Sequence, residues 1–100
     1  MIINDIDESK FNEYINNNIV LLDFYADWCG PCKMLAKVLE ELSKIKNINI
    51  YKINVDKYPN KAREYSVMTI PTIILYKNGV LIKKNIGFIT LDELIKWIDA

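Results

Sequence analysis

The sequence predicts an α/β sandwich, a mixed β-sheet with helices on both faces. Three observations predict it. The run Ile19-Val20-Leu21-Leu22-Asp23-Phe24-Tyr25-Ala26 is nearly all apolar, as expected of a strand covered on both faces within a parallel sheet. Strand-like and helix-like segments then alternate as far as about Tyr65. Finally, Asn78-Gly79, the dipeptide best suited to a two-residue hairpin turn, joins two strand-like runs, so the sheet turns antiparallel there. With 100 residues the chain has the length of one domain with one core, and residues 1–100 are expected to form it.

Taken in order, Ile2-Ile3 is expected to add a short edge strand, followed by a helix with Phe11, Tyr14 and Ile15 facing inward. Ile19 to Ala26 is the central strand. Beyond the cysteines, Met34, Leu35, Val38, Leu39 and Leu42 recur at helical spacing. Lys33, Lys37, Glu40, Glu41 and Lys44 fall between them, the pattern of an amphipathic helix to about Ser43. Ile48 to Asp56 is rich in Ile, Val and Tyr and reads as a second strand, and Tyr58-Pro59-Asn60 opens a short helix through about Tyr65. Thr72 to Lys77 meets Val80-Leu81-Ile82 across the hairpin turn. Thr90-Leu91-Asp92-Glu93 forms a capping box, and Leu91, Leu94, Ile95 and Ile98 give the last helix its apolar face.

Thirteen basic residues balance thirteen acidic ones, so no net field draws nucleic acid or anionic lipid to the surface, and neither is an expected partner. No apolar run approaches the length of a membrane span, and the first residues lack a basic segment leading into an apolar one. The expected location is cytoplasmic.

The chemistry centres on Cys29 and Cys32, the only cysteines, which follow the central strand and open the amphipathic helix. Zinc needs two more thiolate or imidazole ligands. The chain has no histidine and no third cysteine, so only an intermolecular site could complete the tetrahedron, and no metal is expected. As a staple the pair is weak, because closing about four residues is worth about 2 kcal/mol against about 4.7 for a hundred-residue loop. Two buried, unreactive thiols fit poorly with a Gly-Pro turn that would hold them together at the surface. A redox role fits better. A nucleophilic sulfur must be thiolate near neutral pH, and the positive end of a helix favours an anion at Cys29. Cys32, one turn in, can attack a mixed disulfide on Cys29 while being less open to outside targets. Pro31 has no N–H to lose at a helix start, and Gly30 tolerates the close turn. Asp23 is the anomaly of its strand, since a carboxylate among apolar residues is costly unless paired or protonated, and desolvation would raise its pKa.

The segment Asp23-Phe24-Tyr25-Ala26-Asp27-Trp28-Cys29-Gly30-Pro31-Cys32-Lys33-Met34 resembles the active-site signature of thioredoxins. The resemblance extends over nearly the whole chain, through Lys52-Ile53-Asn54-Val55-Asp56, Ile70-Pro71-Thr72, Lys77-Asn78-Gly79 and Gly87. It implies the thioredoxin fold, a five-stranded mixed sheet flanked by four helices, with which the element order above is compatible. It also implies a protein disulfide reductase that acts through the Cys29/Cys32 pair. By the same resemblance Pro71 is cis and lies beside the cysteines, and the Ile70 backbone pairs with an extended target segment. Trp28, Ile70, Pro71 and Gly87, with Gly30 and Pro31 between the cysteines, then form a flat docking surface. Asp23 lies beneath the disulfide and exchanges a proton with Cys32, with Lys52 as its charged neighbour.

Each assignment has a plainer alternative: Trp28 as packing, Pro71 as a loop proline, Gly87 as a turn glycine, Asp23 satisfied by backbone donors at a strand end, Lys52 as a solvated lysine. A thiol oxidant or isomerase would use the same fold, although the Gly-Pro spacer and the absence of an export signal favour a reductant, and a binding subunit with incidental cysteines is the rival from another class. The expected partners are disulfide-containing proteins and a flavin-dependent thioredoxin reductase. The chain has no Gly-rich dinucleotide motif, carries no cofactor of its own in this reading, and is expected to be a monomer. One departure stands out. Where many thioredoxins have a proline five residues beyond the second cysteine, this sequence reads Ala36-Lys37-Val38, which predicts a straighter helix.

Overall fold

A computed structural model describes residues 1–100. Five strands, β1 (Ile2–Ile3), β2 (Ile19–Tyr25), β3 (Asn49–Asn54), β4 (Thr72–Lys77) and β5 (Val80–Ile86), form one sheet in the order β1-β3-β2-β4-β5. β2 and β3 run parallel, as do β1 and β3, whereas β4 is antiparallel to both β2 and β5. The most apolar strand, β2, takes the middle, where both of its edges and both of its faces are covered. A 3-10 turn at Glu8–Lys10 leads into α1 (Phe11–Ile15), followed along the chain by α2 (Gly30–Ile45), α3 (Pro59–Glu64) and α4 (Leu91–Asp99).

Because side chains alternate across a strand, the sheet builds two cores. On one face, Leu35, Leu39 and Leu42 of α2 and Leu94 and Ile98 of α4 cover Leu21, Ile50, Ile73 and Leu75. On the other, Phe11 and Ala62 from α1 and α3 meet Val20, Leu22, Phe24, Ile53 and Ile74, with Tyr51 and Tyr76 at the margin. The Thr90 capping box is formed in full: the hydroxyl accepts from the Glu93 N–H, and the Glu93 carboxylate accepts from the Thr90 N–H. At the hairpin, Asn78 and Gly79 both have positive φ, which favours glycine at Gly79, where a Cβ would also displace the end of the Asn16 side chain.

Several element ends differ from the sequence reading, each for a local hydrogen-bonding reason. The central strand stops at Tyr25 because the Ala26 carbonyl turns to accept the Cys29 N–H. The second long strand ends at Asn54, whose side chain accepts the Asp56 N–H and bends the chain two residues before the expected Asp56. α2 continues two residues past Ser43 to Ile45, without a break at Lys37. β5 extends beyond Ile82 to Ile86, since its pairing with β4 persists to Thr72 across a bulge opposite Leu75 and Tyr76.

Candidate active site

β2 delivers the chain to the start of α2, and the helix begins at the cysteines. Cys29 is the N-cap: its backbone is extended, its carbonyl accepts the Lys33 N–H, and its Sγ accepts the Cys32 N–H at 3.2 Å. Pro31 sits in the first turn, where a helix has N–H groups to spare. A disulfide joins Cys29 to Cys32, with Cα atoms 5.2 Å apart. A sulfur at this position meets unpaired N–H groups and the positive end of a sixteen-residue helix, which favours its thiolate once the bond is reduced.

Exposure barely separates the two cysteines, at 5% for Cys29 and 3% for Cys32, so the expected difference in accessibility is small. Their surroundings separate them. Cys29 Sγ lies 3.9 Å from the Ile70 carbonyl oxygen, and Ile70-Pro71 is a cis peptide. The Pro71 carbonyl in turn accepts the Gly87 N–H at 2.8 Å, which draws the β5–α4 segment to the same side. Cys32 instead lines a cavity of about 140 Å³ together with Tyr25, Ala26, Asp27, Lys33, Ala36 and Lys52.

Of the expected docking residues, Trp28 is 70% exposed, which rules out a packing role, and its indole N–H donates to Asp56 Oδ2 at 2.9 Å. Gly87 has φ +93° with open space where a Cβ would stand, so the backbone conformation alone selects glycine. Gly30 needs no such freedom. Its φ is not positive and a Cβ there would meet nothing, so the turn into α2 does not depend on glycine at this position.

Asp23 is fully buried in mid-strand, and no backbone donor satisfies it, which removes the strand-end alternative. It stands in register with Lys52 on β3, and Lys52 Nζ lies 3.5 Å from its Oδ2. The Lys52 side chain is only 12% exposed, so it is no ordinary solvated lysine. Burial pushes the Asp23 carboxyl up to about 6, with the Lys52 charge holding it down in part. Sequence reasoning did not single out Tyr25 or Asp56. Tyr25 was detectable as the residue two beyond Asp23 and hence on the same face; the Trp28 contact of Asp56 crosses 28 residues and left no local signal.

The thioredoxin family model matches residues 2–100. This chain belongs to the thioredoxin family. A thioredoxin of Chlamydia trachomatis is 43% identical over 94 residues, spanning 93% of this chain and 92% of the relative. A thioredoxin of Staphylococcus haemolyticus is 42% identical over 101 residues, with 99% and 97% covered. Among solved structures, a mutant thioredoxin from Halobacterium salinarum superposes with a TM-score of 0.90 at 33% identity, covering 98% of this chain and 88% of that one. The oxidized form of mitochondrial thioredoxin 3 from Saccharomyces cerevisiae gives 0.87 at 37% identity, covering 98% and 93%. As a thioredoxin-family protein with a bonded cysteine pair at the start of α2, the chain is a protein-disulfide oxidoreductase. No helix is long and apolar enough to cross a membrane.

Proposed function

We propose that this thioredoxin-family protein reduces disulfides of other proteins, with Cys29 attacking and Cys32 resolving. The observation that carries the assignment is the position of Cys29, the helix N-cap beside the Ile70 carbonyl, while Cys32 lines the half-open pocket on the other side, next to Lys52. The Cys29 thiolate attacks one sulfur of the target disulfide, forming a mixed disulfide and releasing the other sulfur as a thiolate. Cys32, losing its proton, then attacks Cys29 Sγ. The second target sulfur leaves, the target has gained two electrons, and the Cys29–Cys32 disulfide has formed.

The proton from Cys32 goes to Asp23. A carboxyl held near 6 is a fitting acceptor close to neutral pH, and the cavity beside Cys32 has room for a water to relay the proton past Lys52. Trp28, Gly30, Pro31, Ile70, Pro71 and Gly87 form the surface on which the target lies, its backbone pairing with that of Ile70. Two electrons must be returned for each turnover, and the family assignment supports a flavin-dependent thioredoxin reductase as the donor. Such a cycle belongs where thiols are kept reduced, which supports a cytoplasmic location.

The test is turnover. The protein, a thioredoxin reductase and its reductant should consume reductant in proportion to a protein disulfide substrate. No reduction beyond that of the reductase alone would overturn the reading.

A further inference from the structure

Asp23 and Tyr25 lie two residues apart on β2 and leave the sheet on the same face. Lys52, in register with Asp23 on β3, touches both: its ammonium lies 3.5 Å from Asp23 Oδ2 and 4.5 Å from the centroid of the Tyr25 ring. A lysine has four flexible methylenes and a strongly hydrated head. Here the head borders a cavity of about 140 Å³ into which it could swing. A ring face within about 6 Å attracts an ammonium through its quadrupole and narrows that freedom.

The geometry points to Tyr25 as a positioning residue of the exchange reaction, whose ring face holds the Lys52 ammonium against the buried carboxylate of Asp23. The clamp uses the ring face; the phenol hydroxyl, which meets Asn54 of β3 and the charges of Asp27 and Lys57, takes no part in it. The other titratable or charged groups around this cavity are Cys32 and Lys33 on α2 and Asp27 in the β2–α2 turn, while β4 presents uncharged Ile73 opposite Asp23. Lys52 is thus the cation that acts on Asp23, consistent with its being the only charge that lowers the Asp23 pKa against burial. The consequence for rate rests on Asp23 as proton acceptor; the clamp itself does not.

The experiment is an NMR titration of the Asp23 carboxyl carbon in the oxidised protein, where the cysteines do not titrate. Tyr25→Phe should leave the midpoint in place. Tyr25→Leu should raise it by about half a pH unit, about threefold in the ratio of acid to carboxylate, because the freed ammonium no longer favours the anion. In a Lys52→Met background the same Tyr25→Leu change should move nothing. If Tyr25→Leu does not fold, Tyr25→Trp supplies a stronger ring face, and its midpoint should equal or fall below that of the wild type. An unmoved or lowered midpoint in Tyr25→Leu, a shift that persists without Lys52, or a raised midpoint in Tyr25→Trp would each overturn the clamp. Failure of the proton-acceptor reading shows elsewhere, as Asp23→Asn resolving mixed disulfides at the wild-type rate.

Discussion

Asp23→Asn should stabilise the folded protein at pH 8 by about 3 kcal/mol and change it little at pH 3. Burial lifts the Asp23 carboxyl from an ordinary 3.8 to about 6. The native state therefore keeps its proton to higher pH than the unfolded chain does. Its contribution to stability is fully present below 3.8, declines as pH rises towards about 6, and stays flat above that. The gap is about two pH units, and each is worth about 1.4 kcal/mol. Asparagine has nearly the shape of the protonated acid and never ionises, so it escapes this loss. The attraction of Lys52 needs no separate correction, because it is already expressed in the value of about 6. For a domain stable by roughly 5–15 kcal/mol the effect is large. Urea melts of both proteins, followed by circular dichroism at pH 4 and pH 8, should show stabilities separated by less than about 1 kcal/mol at the lower pH and diverging at the higher. A separation independent of pH, or a mutant less stable at pH 8, would refute the reasoning.

The two cysteines should behave asymmetrically: Cys29→Ser should abolish reduction, whereas Cys32→Ser should accumulate mixed disulfides that a thiol reagent releases, and trapping by the Cys29 mutant instead would reverse the roles. Cys32-dependent resolution in single-turnover kinetics should slow as pH falls through about 6, where Asp23 takes up its proton, and the Asp23→Asn protein should lose that step from its profile. Asp56→Ala removes the acceptor that holds the Trp28 indole, and it should raise KM for protein disulfides roughly threefold to tenfold while leaving a small aliphatic disulfide unaffected. Lys37→Pro deletes one backbone hydrogen bond in the middle of the continuous α2 and should cost up to about 3 kcal/mol if the packing has adapted to a straight helix, and much less if it is already bent, read as a fall in Tm of up to about 15 °C with the thiol chemistry retained.

Much was determined by the sequence alone, because the relevant physics is local or periodic. The apolar run of β2, the helical spacing of Leu35, Leu39 and Leu42, the Asn78-Gly79 turn and the Thr90–Glu93 capping box each act over a few residues, and each forms as read. The cysteines at the head of α2 were legible for the same reason: a nucleophile, a proline and a helix start are neighbours in the chain. Only the tertiary structure decided what depends on distant segments meeting. Parallel pairing of β2 with β3 sets Lys52 opposite Asp23, turning an apparent defect in an apolar strand into a carboxyl poised near 6. The same pairing lays the Lys52 ammonium over Tyr25, and the turn after β3 brings Asp56 to Trp28. Ile70 and Pro71, some forty residues beyond the thiols, come to lie beside Cys29 because β4 runs antiparallel to β2 and begins where β2 ends. Nothing in the local pattern at Ile70 or Asp56 encodes these contacts. They follow from strand register, which is fixed by burying both faces of the sheet at once.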